Sequence, residues 1–144
     1  VIFLGDGELK DTIIKASRIN NKIHYHEPVE HDQVVKISQS ADVGLCLIEN
    51  ISLSDYYCLP NKLFEYAFSN LLILSSDLPE LKRIINKYKL GVLCKNEVKS
   101  IQTAIKKIEK SSPQKINIDL TELSWEFQEK ILLKAYNNLI EKRK

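Results

Sequence analysis

The stretch Leu59-Pro60-Asn61-Lys62-Leu63-Phe64-Glu65-Tyr66 sets an amide, a cation and a carboxylate close together where a short helix is expected to begin, after a polar loop from Asn50 to Cys58. Pro60 suits the first helical turn, where a missing N–H costs nothing. The first backbone N–H groups of such a helix lack partners and form a ready anion site. Lys62 falls in that first turn, where the helix dipole repels a cation, and its placement makes sense beside an anion such as a phosphate. Leu63, Phe64, Ala67 and Phe68 recur at helical spacing and are expected to face a core. Asn61 and Glu65, four apart, share another face. Together these groups suit a ligand carrying both phosphate and hydroxyls, and a nucleotide with its ribose is one such ligand. A capped amphipathic helix with solvated charges accounts for the same residues, since short motifs also occur by chance.

Other candidate groups carry less. Gly5-Asp6-Gly7, between a strand and a helix, is half of a dinucleotide fingerprint. Lys10 stands where the third glycine would be, and Glu27 is the nearest acid that could meet a ribose; a tight βα turn explains the glycines adequately. His24 and His26, two apart on a strand, point to one face with His31 close by, but no cysteine accompanies them and a metal site is not expected. Neither a Gly-x-Ser-x-Gly elbow nor an obvious histidine partner for Cys58 supports nucleophilic catalysis. Lys99, Lys106, Lys107 and Lys110 form a basic helix face, ordinarily a solvated one and in some proteins a membrane-surface patch.

The elements that position these residues follow from composition and pattern. At 144 residues, 44% hydrophobic and 28% charged, the chain has the size and make-up of one soluble globular domain. A net charge of +2 is too small to argue for nucleic acid. No apolar run reaches the length of a membrane span, and the N-terminus is not a signal peptide. Three widely spaced cysteines, Cys46, Cys58 and Cys94, fit a reduced, cytoplasmic protein. The lack of methionine and an opening in mid-strand imply a piece of a longer chain. Strands are expected at Val1–Leu4, Ile23–His26, Val43–Ile48, Leu71–Leu74 and Gly91–Cys94. Helices are expected over Glu8 to Ile19, around Val34, Val35 and Ile37, from Pro60, and from Ser75-Ser76-Asp77 (whose side chains would cap) to Tyr88. Further helices are expected over Val98–Glu109 and from Leu123 to Glu141, with a polar linker at Ser111–Asn117 containing Pro113. Strands alternating with helices predict an α/β fold, a Rossmann-like doubly wound parallel sheet of about five strands. Ligands of such sheets bind at the carboxyl ends of the strands, which are here followed by Gly5–Gly7, Glu27–His31, Glu49–Cys58 and Ser75–Pro79.

Taken in order, the motifs resemble the C-terminal domain of the group 1, or family 4, glycosyltransferases. The resemblance rests on strand–Gly5-Asp6-Gly7-Glu8-Leu9–helix, on Ser40-Ala41-Asp42-Val43-Gly44-Leu45, and on Leu59 through Tyr66. A strand with Ser76-Asp77-Leu78-Pro79-Glu80 follows, and Leu123-Ser124-Trp125-Glu126 stands before a final helix. It covers nearly the whole chain. It implies the donor-binding half of a GT-B enzyme, in which two Rossmann-like domains enclose a cleft and a sugar passes with retention from a nucleotide-diphosphate sugar to an acceptor, with no cofactor and no required metal. Carried over by position, Glu65 matches the second glutamate of the family's Glu-x7-Glu motif and would hold the ribose hydroxyls. Pro60, Asn61 and Lys62 match the segment near the donor phosphates, and Glu27 and Val29 the region contacting the base. Gly5 and Gly7 would lie near the phosphate or sugar. The first glutamate of the motif falls on Tyr57; Ser54 or Asp55 could take over its sugar contact.

The family's Arg and Lys that neutralise the leaving diphosphate would precede Val1, as would the strand before them and the whole acceptor domain. No catalytic residue is therefore assigned, and turnover by this chain alone is not expected, because diphosphate departure depends on placed positive charge. The partners implied are a nucleotide-sugar donor and, through the absent domain, a glycan or lipid-linked acceptor. The resemblance implies a location in the cytoplasm, including the inner face of the plasma membrane for the whole protein. Two other classes fit less well. A GT-B sugar-nucleotide epimerase needs cleft carboxylates beyond Glu65, and a non-catalytic response-regulator-like module needs an acidic pair where only Asp6 stands.

Overall fold

A computed structural model of the chain describes residues 1–111 and 118–142. The expected linker with Pro113 lies, apart from Ser111, outside the described residues. The chain divides into two compact units, Val1–Ile37 and Ser38–Lys144. Among the described residues all strand pairing is parallel, in one two-stranded and one three-stranded sheet. The α/β class expected from the sequence is what forms. The strands are divided over two sheets, where the pattern predicted one.

In the first unit, β1 (Ile2–Leu4) pairs with β2 (His24–His26), Ile2 opposite His24 and Leu4 opposite His26. Helix α1 (Lys10–Ile19) connects them, and α2 (His31–Ser38) follows. The turn into α1 needs Gly5, whose φ of +133° is closed to side-chain-bearing residues. No described residue of this unit is buried, and Val1 to Leu4 are all exposed.

In the second unit, β3 (Val43–Cys46), β4 (Leu72–Ser76) and β5 (Gly91–Cys94) lie side by side with β4 central. Alternating side chains of β4 enter two separate cores, as strand geometry requires. Ile73 joins Leu63, Ala67, Leu81, Ile84 and Ile85, from α4 (Asn61–Phe68) and α5 (Pro79–Tyr88). Leu74 joins Cys94, Ala104 and Ile108, the last two from α6 (Val98–Lys110). Helices thus cover both faces of this sheet. The last helix, α7 (Trp125–Glu141), has no buried residue. It is capped by Ser124, whose Oγ accepts from Phe127 N at 3.3 Å, and a 3-10 turn at Thr121–Leu123 replaces the helical start expected at Leu123.

Several local expectations are corrected. Ser75 and Ser76 are buried in β4 and do not cap α5; Leu78 holds the N-cap with Pro79 at the first position and no side-chain bond. Ser76 Oγ instead accepts from Ile48 N at 2.8 Å and donates to Ile48 O at 2.9 Å, where β3 has already ended at Cys46. The polar loop from Asn50 to Cys58 contains a one-turn helix, α3 (Leu53–Tyr56), closed by a reciprocal capping box between Ser52 and Asp55. Pro60 is the N-cap of α4, with ψ of 150°, and the helix begins at Asn61. Phe68 remains 38% exposed, so α4 buries Leu63 and Ala67 without it.

Gly44 of β3 sits directly under the Tyr66 side chain of α4. A Cβ there would overlap Tyr66 Cβ, Cγ and Cδ2, atoms too near the backbone to swing aside. Gly44→Ala is therefore expected to lower unfolding free energy by about 1–3 kcal/mol, the usual cost of overpacking. Tyr66→Ala in the same chain should recover part of that loss, as read from denaturant midpoints; additive losses would remove this contact as the cause.

Candidate functional site

The sequence-derived positions fall into two groups, one in each unit. Pro60, Asn61, Lys62 and Glu65, with Asp55 and Tyr57 ahead of them, belong to the second unit. Gly5, Gly7, Glu27 and Val29 belong to the first.

In the second unit the chain leaves β3, turns through α3 and enters α4. The N-cap Pro60 has no side-chain acceptor for the first-turn amides, and Leu63 N bonds back to Pro60 O at 3.0 Å. The N–H groups of Asn61 and Lys62 therefore find no partner among the described residues, and they carry the positive end of the helix dipole. Both side chains are exposed, and Glu65, one turn on, is partly buried. The start of α4 lies near the carboxyl end of β3. Burial pushes the Cys46 thiol up to about 11, and the charge of Lys62 offsets part of that rise. Tyr66, beside Glu65, is raised mainly by burial and further by its neighbours Cys46 and Glu65.

Asp55 accepts from Ser52 N at 3.1 Å and from Ser52 Oγ at 2.7 Å, so its carboxylate holds the capping box that shapes the approach to α4. Tyr57 is exposed and stacks edge-on against Tyr56, with ring centres 4.8 Å apart.

In the first unit, Lys10 joins the segments that follow β1 and β2 at the carboxyl end of the sheet. Its Nζ lies 2.9 Å from Glu27 Oε2 and 3.7 Å from Asp6 Oδ1, and 5.5 Å from the centre of the Tyr25 ring. Tyr25 OH donates to the same Glu27 oxygen at 3.0 Å. Bonds from Lys10 first, and from Tyr25 second, hold Glu27 below the usual carboxylate range, and Glu27 holds Lys10 above its own. Gly5 N donates to His26 O at 3.1 Å, which ties the glycine turn to the end of β2. Val29 is partly buried on the loop beyond. Sequence reasoning passed over Lys10 and Tyr25 as members of this cluster. The available signals were the i, i+4 spacing of Asp6 and Lys10 and the i, i+2 spacing of Tyr25 and Glu27.

His24 and His26 are both exposed on β2. Among the described residues no group of three or more His, Cys, Asp or Glu is placed to hold a metal ion. None of their helices is long and apolar enough to cross a membrane. No protein-family model matches the chain, and no curated protein and no solved structure matches it.

The Glu27 cluster makes a signed prediction. A carboxyl whose folded value is depressed contributes stability above the ordinary carboxylate range and loses it as pH falls through the lowered value. In an NMR titration Glu27 is expected to protonate below an ordinary glutamate, and Lys10→Met should move it upward. An unchanged midpoint in Lys10→Met would show that Lys10 is not the cause. Because both side chains face solvent, the effect on global stability should be small.

Proposed function

We propose that this chain is the nucleotide-sugar-binding part of a retaining GT-B glycosyltransferase that transfers a sugar to a glycan or lipid-linked acceptor. The observation that carries the reading is the uncapped start of α4 near the carboxyl end of β3, with Asn61, Lys62 and Glu65 on its first turns. In this reading the donor diphosphate lies against the first-turn amides and Lys62, and Glu65 accepts from the ribose hydroxyls. The helix dipole and the lysine then attract the same charge, which removes the conflict of a cation in a first turn.

Strand order also supports the reading. A doubly wound sheet of order 3-2-1-4-5-6 falls into a 3-2 pair and a 4-5-6 triplet when strand 1 is taken away. The observed sheets, β1-β2 and β3-β4-β5, correspond to that pair and that triplet. In this reading the role of the chain is to bind and orient the donor.

Titration with UDP, GDP, ADP and CMP, followed by NMR line broadening, tests this. One nucleoside diphosphate is expected to bind selectively. Glu65→Ala should weaken it by about tenfold to a hundredfold, the worth of charge-assisted bonds to the ribose. Binding that Glu65→Ala leaves unchanged would remove Glu65 from the site. Failure of the chain to bind any of the four would sink the reading.

A further inference from the structure

The outer face of α6 is a second charged surface, and it lies on a different element from the start of α4. Ala104 and Ile108 are buried and Ile101 is partly buried, which fixes the inward stripe of the helix. At about 100° per residue, Lys99, Lys106 and Lys110 fall within roughly 40° of one another on the opposite side, and Lys107 lies beside them. All four are exposed. The segment from Lys95 to Lys110 carries five lysines against two glutamates, a net +3, in a chain whose total is +2. The helix dipole accounts for Lys107 and Lys110 in the last turn, but it opposes Lys99 in the first. Between the lysine stripe and the core stripe on one flank lie first Gln102 and Glu109, both exposed, then Val98, 72% exposed, and Ile105, 40% exposed. The helix has no aromatic residue and no arginine, the side chains that stack on or fork around nucleic acid.

We infer that α6 docks the protein on an anionic lipid surface, with Lys99, Lys106 and Lys110 toward the headgroup phosphates and Val98 and Ile105 at the edge of the acyl region. Cations over a phosphate plane with flanking aliphatic groups match the layered chemistry of a bilayer surface. The inference stands on α6 alone and does not depend on the glycosyltransferase reading.

Co-sedimentation of the full chain with vesicles tests it. Binding is expected to phosphatidylcholine vesicles containing about 30% phosphatidylglycerol, and not to phosphatidylcholine alone. Raising salt to about 0.5 M should release the protein, since exposed charges are then screened. Lys99→Glu/Lys106→Glu/Lys110→Glu should lower affinity at least about tenfold, and the triple Gln variant should lower it less. Lys130→Glu/Lys134→Glu on α7 should bind as the parent does. Lack of binding to anionic vesicles at about 0.1 M salt would overturn the inference. So would equal binding to phosphatidylcholine, or unchanged binding by both α6 variants. A single-stranded oligonucleotide that binds more tightly than the vesicles would replace lipid with nucleic acid as the partner.

Discussion

Ile73 and Leu74 are adjacent in sequence, both fully buried, and lie in different cores. Everything else in the second unit is placed by that fact. Burying two such side chains contributes on the order of 1.5–3 kcal/mol each, and only a strand covered on both faces can do it. The covering helices are α4 and α5, in the connections between strands, on one side and α6, which follows β5, on the other. Gly91 belongs to the same constraint. A Cβ there would collide with the backbone carbonyl of Ile73, so β5 can approach β4 only with glycine at that position.

The polar end of β4 positions the site. Ser76 is buried with both its donor and its acceptor used on Ile48, twenty-eight residues earlier. A buried hydroxyl without partners would cost a few kcal/mol, so this pair of bonds fixes where the chain runs after β3. From there α3, closed by Ser52 and Asp55, turns the chain toward α4. Gly44 under Tyr66 sets how closely α4 rests on the sheet. The start of α4 is therefore held by packing on its inner face, which leaves its first-turn amides available to solvent.

Much of this was legible in the sequence because it is local. Short apolar runs between turn residues marked β1, β3, β4 and β5, the segment Ile23–His26 was read as β2 without such a run, and helical spacing marked α1, α4, α5 and α6. The misreadings share a physical origin. Ser75 and Ser76 look like caps because hydroxyls after an apolar run usually are, and only the distant Ile48 makes Ser76 a core residue. Phe68 fits the spacing of the buried stripe but lies on its margin. The division into two sheets depends on which strands pair, and no local pattern encodes that. For the site, Asn61, Lys62 and Glu65 could be read from helical spacing. Tyr25 and Glu27 could be paired from their i, i+2 spacing, but Lys10 could not be joined to them, because parallel pairing of β1 with β2 is what brings it there.

The two units also differ in what holds them. In the first, both faces of β1 are exposed, and the interactions include ladder bonds, the packing of α1 on β2, the glycine turn and a solvent-facing ion pair. A two-stranded sheet of that kind is marginal, and exposed ion pairs add little. In the second, β4 is buried between helices, with β3 and β5 partly buried on either side of it. The Asn61, Lys62 and Glu65 group stands on the better-packed unit, on a helix fixed by Leu63, Ala67 and Tyr66. A diphosphate group needs amides already in place, since amides that must be ordered first lose much of their binding energy to that ordering. The Glu27 loop belongs to the sparsely packed unit, where no described residue is buried.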